Sequence, residues 1–303
     1  MILRKKSFLF SLGLALTLSA VPAFAEETGS GASASGTEVI DVSVALPQKL
    51  SALHTALNER IPETRIDVLL PAPKIAGWQS EIARNVEKSR TDRAYCRDAI
   101  RQANRDTLID RASTCMRADL MQEISFLRKQ SSYVATLPFL DATLLADAKA
   151  RISTLIDADM TVVGAIDAGL YLQTDQLLDA KKKLTDQYRL PYWNAMIKVR
   201  ADRQLVWVGL MVRRLDEVLK EGNNTDAILD MMYQGAVCLD ESRLKEQAIL
   251  NSSDLESAVK LLPEEQKLLK ACRETMWNVG HLKLRQFESE KAAEASKNAK
   301  GTK

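Results

Sequence analysis

The sequence predicts an all-α fold, an antiparallel helical bundle of about six to eight helices packed in coiled-coil fashion. Three observations lead there. From about residue 74 onward, apolar residues recur at helical spacing almost without a break. Turn formers are scarce, with 12 Gly and 8 Pro in 303 residues, too few for a fold built from many strands and turns. Ser, Thr, Asp and Pro stand where the periodic stretches begin, in the positions that start helices. A hydrophobic fraction of 46% is ample for a packed core.

Ahead of the helices, the first 25 residues read as an export signal. Arg4, Lys5 and Lys6 form a positive start. Phe8 to Leu18 is an apolar run of eleven residues, and Ala23-Phe24-Ala25 is a small-x-small cleavage site before Glu26. The run falls well short of the roughly 20 residues that span a bilayer. No later run approaches that length. A periplasmic or secreted chain, cleaved after Ala25 and without a transmembrane segment, is expected.

Residues 26–37 are rich in Gly, Ser and Ala and read as a flexible leader. A single helical domain is expected over 38–290, and a disordered Lys-rich tail over 291–303. Val42, Val44 and Leu46 alternate like a short strand, and Ile66 to Leu70 is a second extended candidate. Together they predict a short extended N-terminal segment with room for a small two-stranded pairing. Between them, Leu50, Leu53, Leu57 and Ile61 keep helical spacing. Pro71-Ala72-Pro73 forces an extended connector.

Ile75, Trp78, Ile82 and Val86 then open a helix that Tyr95, Ala99 and Ala103 continue or restart. Met116, Leu120, Ile124 and Leu127 share one face of the next stretch. Pro138 is placed to begin a helix whose face reads Leu144, Leu145, Ala148, Ile152, Leu155 and Ile156, and runs on through Val163 towards Leu172. Thr174-Asp175 is a cap for Gln176 to Leu190. Pro191 starts a long helix that Gly222-Asn223-Asn224 stops. Thr225-Asp226 caps the next helix and Ser253-Asp254 a short one. Pro263-Glu264-Glu265 opens the last, which carries Leu269, Cys272, Met276 and Val279. Thr161–Leu172 and Leu205–Val212 are apolar around most of the helix and are expected at the centre. The small residues Ala158, Ala165, Ala168 and Gly169 would let a neighbouring helix come close.

Four cysteines in an exported chain imply two disulfides. They are Cys96, Cys115, Cys238 and Cys272, which allow three connectivities. Hairpin geometry favours Cys96–Cys115 and Cys238–Cys272, because facing residues of a helical hairpin lie equally far from its turn. The midpoint of the first pair falls at Asn104-Arg105-Asp106 and that of the second beside Asn251 to Asp254, the best turn signals in their regions. No Gly or Pro occurs from Trp78 to Leu137, however. Cys96 and Cys115 on one unbroken helix would lie roughly 28 Å apart and could not bond.

The chemistry of common active sites is absent from the sequence. There is no H-E-x-x-H, G-x-S-x-G, phosphate-cradling Gly loop or C-x-x-C-H. The two histidines, His54 and His281, are too few for a metal site or a pool of general bases and read as packed residues. No catalytic residue, metal ligand or cofactor site is assigned. Two acids draw interest. Asp167 lies in an apolar stretch, where an unpaired carboxylate would carry a raised pKa; it is expected to pair with an Arg such as Arg200 or Arg203 or to turn to solvent. Glu241-Ser242 resembles the catalytic acid of lytic transglycosylases, but the Gly-Leu-Met-Gln run that should follow is missing.

Charge excludes nucleic acid as an expected partner. The full chain carries 42 basic and 40 acidic residues. The signal segment takes three basic residues and no acidic one, leaving 39 against 40 and a net charge of −1. Arg and Asp are interleaved from Arg84 to Arg111, as on a solvated helix face. The function expected is therefore a non-enzymatic one: binding a protein partner in the cell envelope, as an accessory, adaptor or chaperone-like component. The alternatives are an all-α periplasmic enzyme such as a glycan-cleaving hydrolase or lyase, and a carrier of a small apolar ligand. An enzyme needs a strained acid in a cleft, a carrier an apolar cavity, and a binder an exposed apolar patch.

Overall fold

The structure is a computed structural model and describes residues 41–59, 61, 91–92, 94–104, 106–137 and 140–300. The export signal, the leader, the extended candidate at 66–70 and the helix expected from Ile75 to Val86 lie outside the described residues. Among the described residues every regular element is a helix. They are α1 (Val42–Asn58), α2 (Leu108–Ala135), α3 (Ala142–Asp167), α4 (Thr174–Lys183), α5 (Leu190–Glu221), α6 (Asp226–Asn251) and α7 (Leu255–Lys300). Residues 94–101 are also helical, and a π-helical segment, Leu184–Arg189, joins α4 to α5. The chain divides into two compact units, where a single domain over 38–290 was expected. In its described part the first unit runs from residue 91 to Arg200. The second holds residues 41–61 and everything from Ala201.

In the first unit α2 and α3 form an antiparallel pair. Asp141 starts α3 by accepting from the backbone N–H groups of Thr143 (2.9 Å) and Leu144 (3.0 Å). Leu120 and Ile124 of α2, Val162 and Val163 of α3 and Leu184 of the π segment form a common core. Each such side chain stabilises the unit by roughly 1.5–3 kcal/mol. The break between residues 101 and 108 settles the question left by the missing Gly and Pro. Asn104 accepts from the Thr107 backbone N–H (2.9 Å) and hydroxyl (2.8 Å), ends the first arm and turns the chain. Cys96 and Cys115 then face each other across the turn at disulfide distance, with Cα atoms 5.6 Å apart. Arg111 ties the same two arms, its Nη1 donating to the Ala99 carbonyl at 3.0 Å.

In the second unit α6 and α7 form a long hairpin. Cys238 and Cys272 meet at disulfide distance, their Cα atoms 5.5 Å apart, and Lys245 pairs with Glu264 at 2.6 Å nearer the turn. Gly235 allows a close approach there, since a Cβ on it would stand 3.3 Å from the Met276 sulfur. Helix α1 lies along α6 and buries Leu46, Leu50, Leu53 and Leu57, while Lys49 reaches Asp240 at 2.6 Å.

Several boundaries differ from expectation, each for a local reason. Val42, Val44 and Leu46 are the first turns of α1, not a strand. Asp41 caps them by accepting from Ser43 N–H at 3.1 Å, and Leu46 belongs with Leu50 and Leu53 on a helical stripe. α4 begins at Thr174, because Gln176 reaches back to accept from the Gln173 N–H at 3.1 Å. Pro191 does not start a new helix. The chain widens to π geometry just before it, which absorbs the N–H that proline lacks without ending the helix. Pro263 likewise stands inside α7, on its exposed side, and no separate short helix precedes it. The tail expected to be disordered from 291 is helical as far as Lys300.

Candidate functional site

Two polar constellations stand out, both in the first unit. The first is closed to solvent. Asp159 of α3 is 0% exposed and sits in the apolar stripe Ile152, Leu155, Val162 and Val163. Glu123 comes from α2 and Arg189 from the last residue of the π segment. Arg189 Nε donates to both Glu123 carboxylate oxygens, at 2.9 and 3.1 Å, while Arg189 Nη2 lies 3.7 Å from an Asp159 oxygen, too far to hydrogen bond. Neither carboxylate oxygen of Asp159 has a hydrogen-bond partner. One guanidinium thus faces two carboxyls and belongs to Glu123. Burial first, then repulsion from Glu123, pushes the Asp159 carboxyl up to about 8, and the attraction of Arg189 only partly offsets them. Burial opposes the Arg189 charge, but Glu123, with Asp159 and Asp119, more than compensates, so Arg189 titrates above its usual range. One turn further along, the fully buried Tyr192 donates its hydroxyl to Gln130 of α2, and burial holds its phenol far above its usual range.

The second constellation is open. A groove of about 450 Å³ runs between the start of α2 and the end of α3, lined by Ile109, Asp110, Ile166 and Tyr171 among others. Arg117 and Asp167 lie in its wall as a fork, Nε to Oδ1 at 2.7 Å and Nη2 to Oδ2 at 3.3 Å. The Arg117 hydrogen bond holds the Asp167 carboxyl below the usual carboxylate range. α3 ends beside this groove at Gly169, whose φ of 65° only glycine adopts readily, and the Leu170 N–H returns to the Ala165 carbonyl at 3.0 Å. The following loop is tied down, since the Leu172 N–H donates to the Gln176 side chain at 2.7 Å. Leu170, Leu172 and, on α4, Leu178 nevertheless point outward, 66%, 77% and 62% exposed.

The structure redistributes the residues singled out from the sequence. Asp167 turns to solvent, one of the outcomes expected for it, and the guanidinium beside it is that of Arg117 rather than Arg200 or Arg203. The stretch Thr161–Leu172 is central only as far as Ile166, because Gly169 ends the helix, whereas Leu205, Val206, Val208 and Val212 are fully buried as expected. Glu241 is exposed on α6 in the other unit, beside the buried Ser242. His54 shares a hydrogen bond with Asp216 at 3.0 Å, and His281 packs edge-on against Trp277. Asp159 escaped notice although its signal was present: it lies four residues after Leu155 and three before Val162, in the middle of a stripe otherwise apolar. Among the described residues no group of three or more His, Cys, Asp or Glu could hold a metal ion. Among the described helices none is long and apolar enough to cross a membrane. No protein family, curated protein or solved structure matches this chain.

Proposed function

We propose that this chain is an exported, non-enzymatic helical protein that binds a protein partner of the cell envelope through the α3–α4 tip. The observation that carries the reading is the outward projection of Leu170 and Leu172 from a loop whose backbone is hydrogen-bonded in place, with Leu178 beside them on α4. Three leucines held out by ordered backbone, beside a groove with an Arg–Asp fork in its wall, suit an apolar knob with a polar rim on the partner. The strained acid an enzyme would need, Asp159, is fully buried and does not line this groove. Two cysteine pairs at disulfide distance fit an oxidising compartment.

A photo-reactive amino acid placed at position 172 and irradiated in intact cell envelopes tests this. One partner is expected to cross-link at 172 and to be lost when Leu170 and Leu178 are both changed to Asp. Equal capture from a site on the far side of the unit, such as position 151, would defeat the reading.

A further inference from the structure

A different surface, in the second unit, points to a partner of its own kind. Helix α7 is far longer than the helix beside it, 46 residues against 26. The register set by Cys238–Cys272 and Lys245–Glu264 brings the first residue of α6, Asp226, opposite Leu284. Beyond that point the chain from Glu221 to Asn224 still touches α7. Lys283 Nζ donates to the Gly222 carbonyl (3.1 Å) and the Asn224 side chain (2.9 Å), and Gln286 donates to the Asn223 carbonyl. From Phe287 to Ser296 every residue is exposed. None of the described residues packs beside that stretch, and an isolated helix of that length has little stability of its own.

The same helix carries an apolar stripe one residue out of step with the buried Cys272 and Val279 and the half-buried Met276. Leu284 and Phe287 are 53% and 52% exposed, and Trp277, with its ring against His281, is 58% exposed. Gly280 completes the spacing 277, 280, 284, 287, which is that of a two-helix seam. Nothing stands within 4 Å of where a Gly280 Cβ would be, so the stripe has a notch in its middle. The next two seam positions are Lys291 and Glu294. Lys291 folds back so that its Nζ lies 4.5 Å from the Phe287 ring centroid.

We infer that α7 pairs with α7 of a second copy, antiparallel, so that the unsupported end of each helix lies on the exposed stripe of the other. Charge decides the direction. In a parallel pair Lys291 would meet Lys291 and Glu294 would meet Glu294 at the seam, which like charges oppose. In the antiparallel pair centred between Arg285 and Gln286, Leu284 meets Phe287 of the second copy twice. Lys291 lays its stem in the Gly280 notch, with its ammonium near the Trp277 face. On one flank His281 faces Glu288, a pair that occurs twice by the two-fold symmetry. The contact is short, so the dimer is expected in the micromolar range.

Sedimentation analysis of the mature chain with its disulfides intact tests this. A concentration-dependent monomer–dimer equilibrium is expected. Leu284→Glu with Phe287→Glu should abolish it while leaving the helical circular dichroism and the melting temperature of the monomer unchanged. His281→Glu alone should weaken the dimer by setting Glu against Glu288 on each side, and Glu288→Lys added to it should restore affinity. Three outcomes would overturn the inference. One is a monomer at all concentrations. Another is a dimer indifferent to the double Glu variant. The third is a double Glu variant that loses melting temperature at a concentration where the wild type is monomeric, since the stripe would then be covered by the chain's own residues.

Discussion

Asp159 shows how far one buried residue can bend the behaviour of a helical unit. Its carboxyl keeps a proton up to about pH 8 in the folded chain but only to about 3.8 when unfolded. Between those values the native state holds the extra proton. The stability that comes from the neutral form is therefore complete below about pH 4 and is lost as the pH rises to about 8. Asp159→Asn is neutral throughout. It is expected to match the wild type near pH 4 and to exceed it at pH 8 by on the order of a few kcal/mol, read from urea midpoints at the two pH values. A wild type equally stable at both, and an Asn variant weaker at both, would mean that the carboxylate is ionised and held by Arg189. Asp167, the acid that the apolar run of the sequence draws attention to, should behave differently. It is exposed beside Arg117, so Asp167→Asn should leave the melting temperature nearly unchanged.

Helix ends and crosslinks carry the element scale. α3 begins on Asp141, which accepts from two backbone N–H groups that would otherwise be bare. Asp141→Ala should cost about 1 kcal/mol in denaturant unfolding, and Asp141→Ser should recover most of it. The Cys238–Cys272 link closes a longer loop than Cys96–Cys115, with sequence separations of 34 and 19. On loop entropy, replacing the first pair by Ser should cost about 4 kcal/mol and the second about 3. Non-reducing peptide mapping should recover these two pairings and no link between an early and a late cysteine. The prolines were legible as helix signals but misleading about where helices start. A proline ends a helix only if the carbonyl it leaves unpaired finds no other solution. Before Pro191 the π turn supplies one, while Pro263 stands on the exposed side of α7.

For the whole molecule, the first measurement is the mass of the mature protein. Cleavage after Ala25 predicts a chain beginning at Glu26. A retained Met1 on membrane-bound protein would overturn cleavage and release of the chain. The division into two units adds that the leucine tip and the exposed stripe of α7 belong to different compact bodies. Loss of partner capture through the first and loss of dimerisation through the second should therefore be separable by mutation.

Local chemistry was enough for the sequence to determine the all-α class, the stripes of α2 and α3 and the buried run Leu205–Val212, and to favour the cysteine pairing that the turn at Asn104 then decided. Periodicity, caps and the equal distance of facing residues from a turn are properties of neighbouring residues along the chain. What lay beyond it was decided by packing. The spacing shows that Asp159 shares a face with Leu155 and Val162, but not that Glu123 takes the Arg189 guanidinium and leaves Asp159 to hold a proton. Nor does the run Ala165 to Leu172 say by itself that Gly169 will turn left-handed and carry two leucines into solvent. Both outcomes depend on which side chains from distant positions occupy the space around a residue, and burial, pKa and exposure are set there.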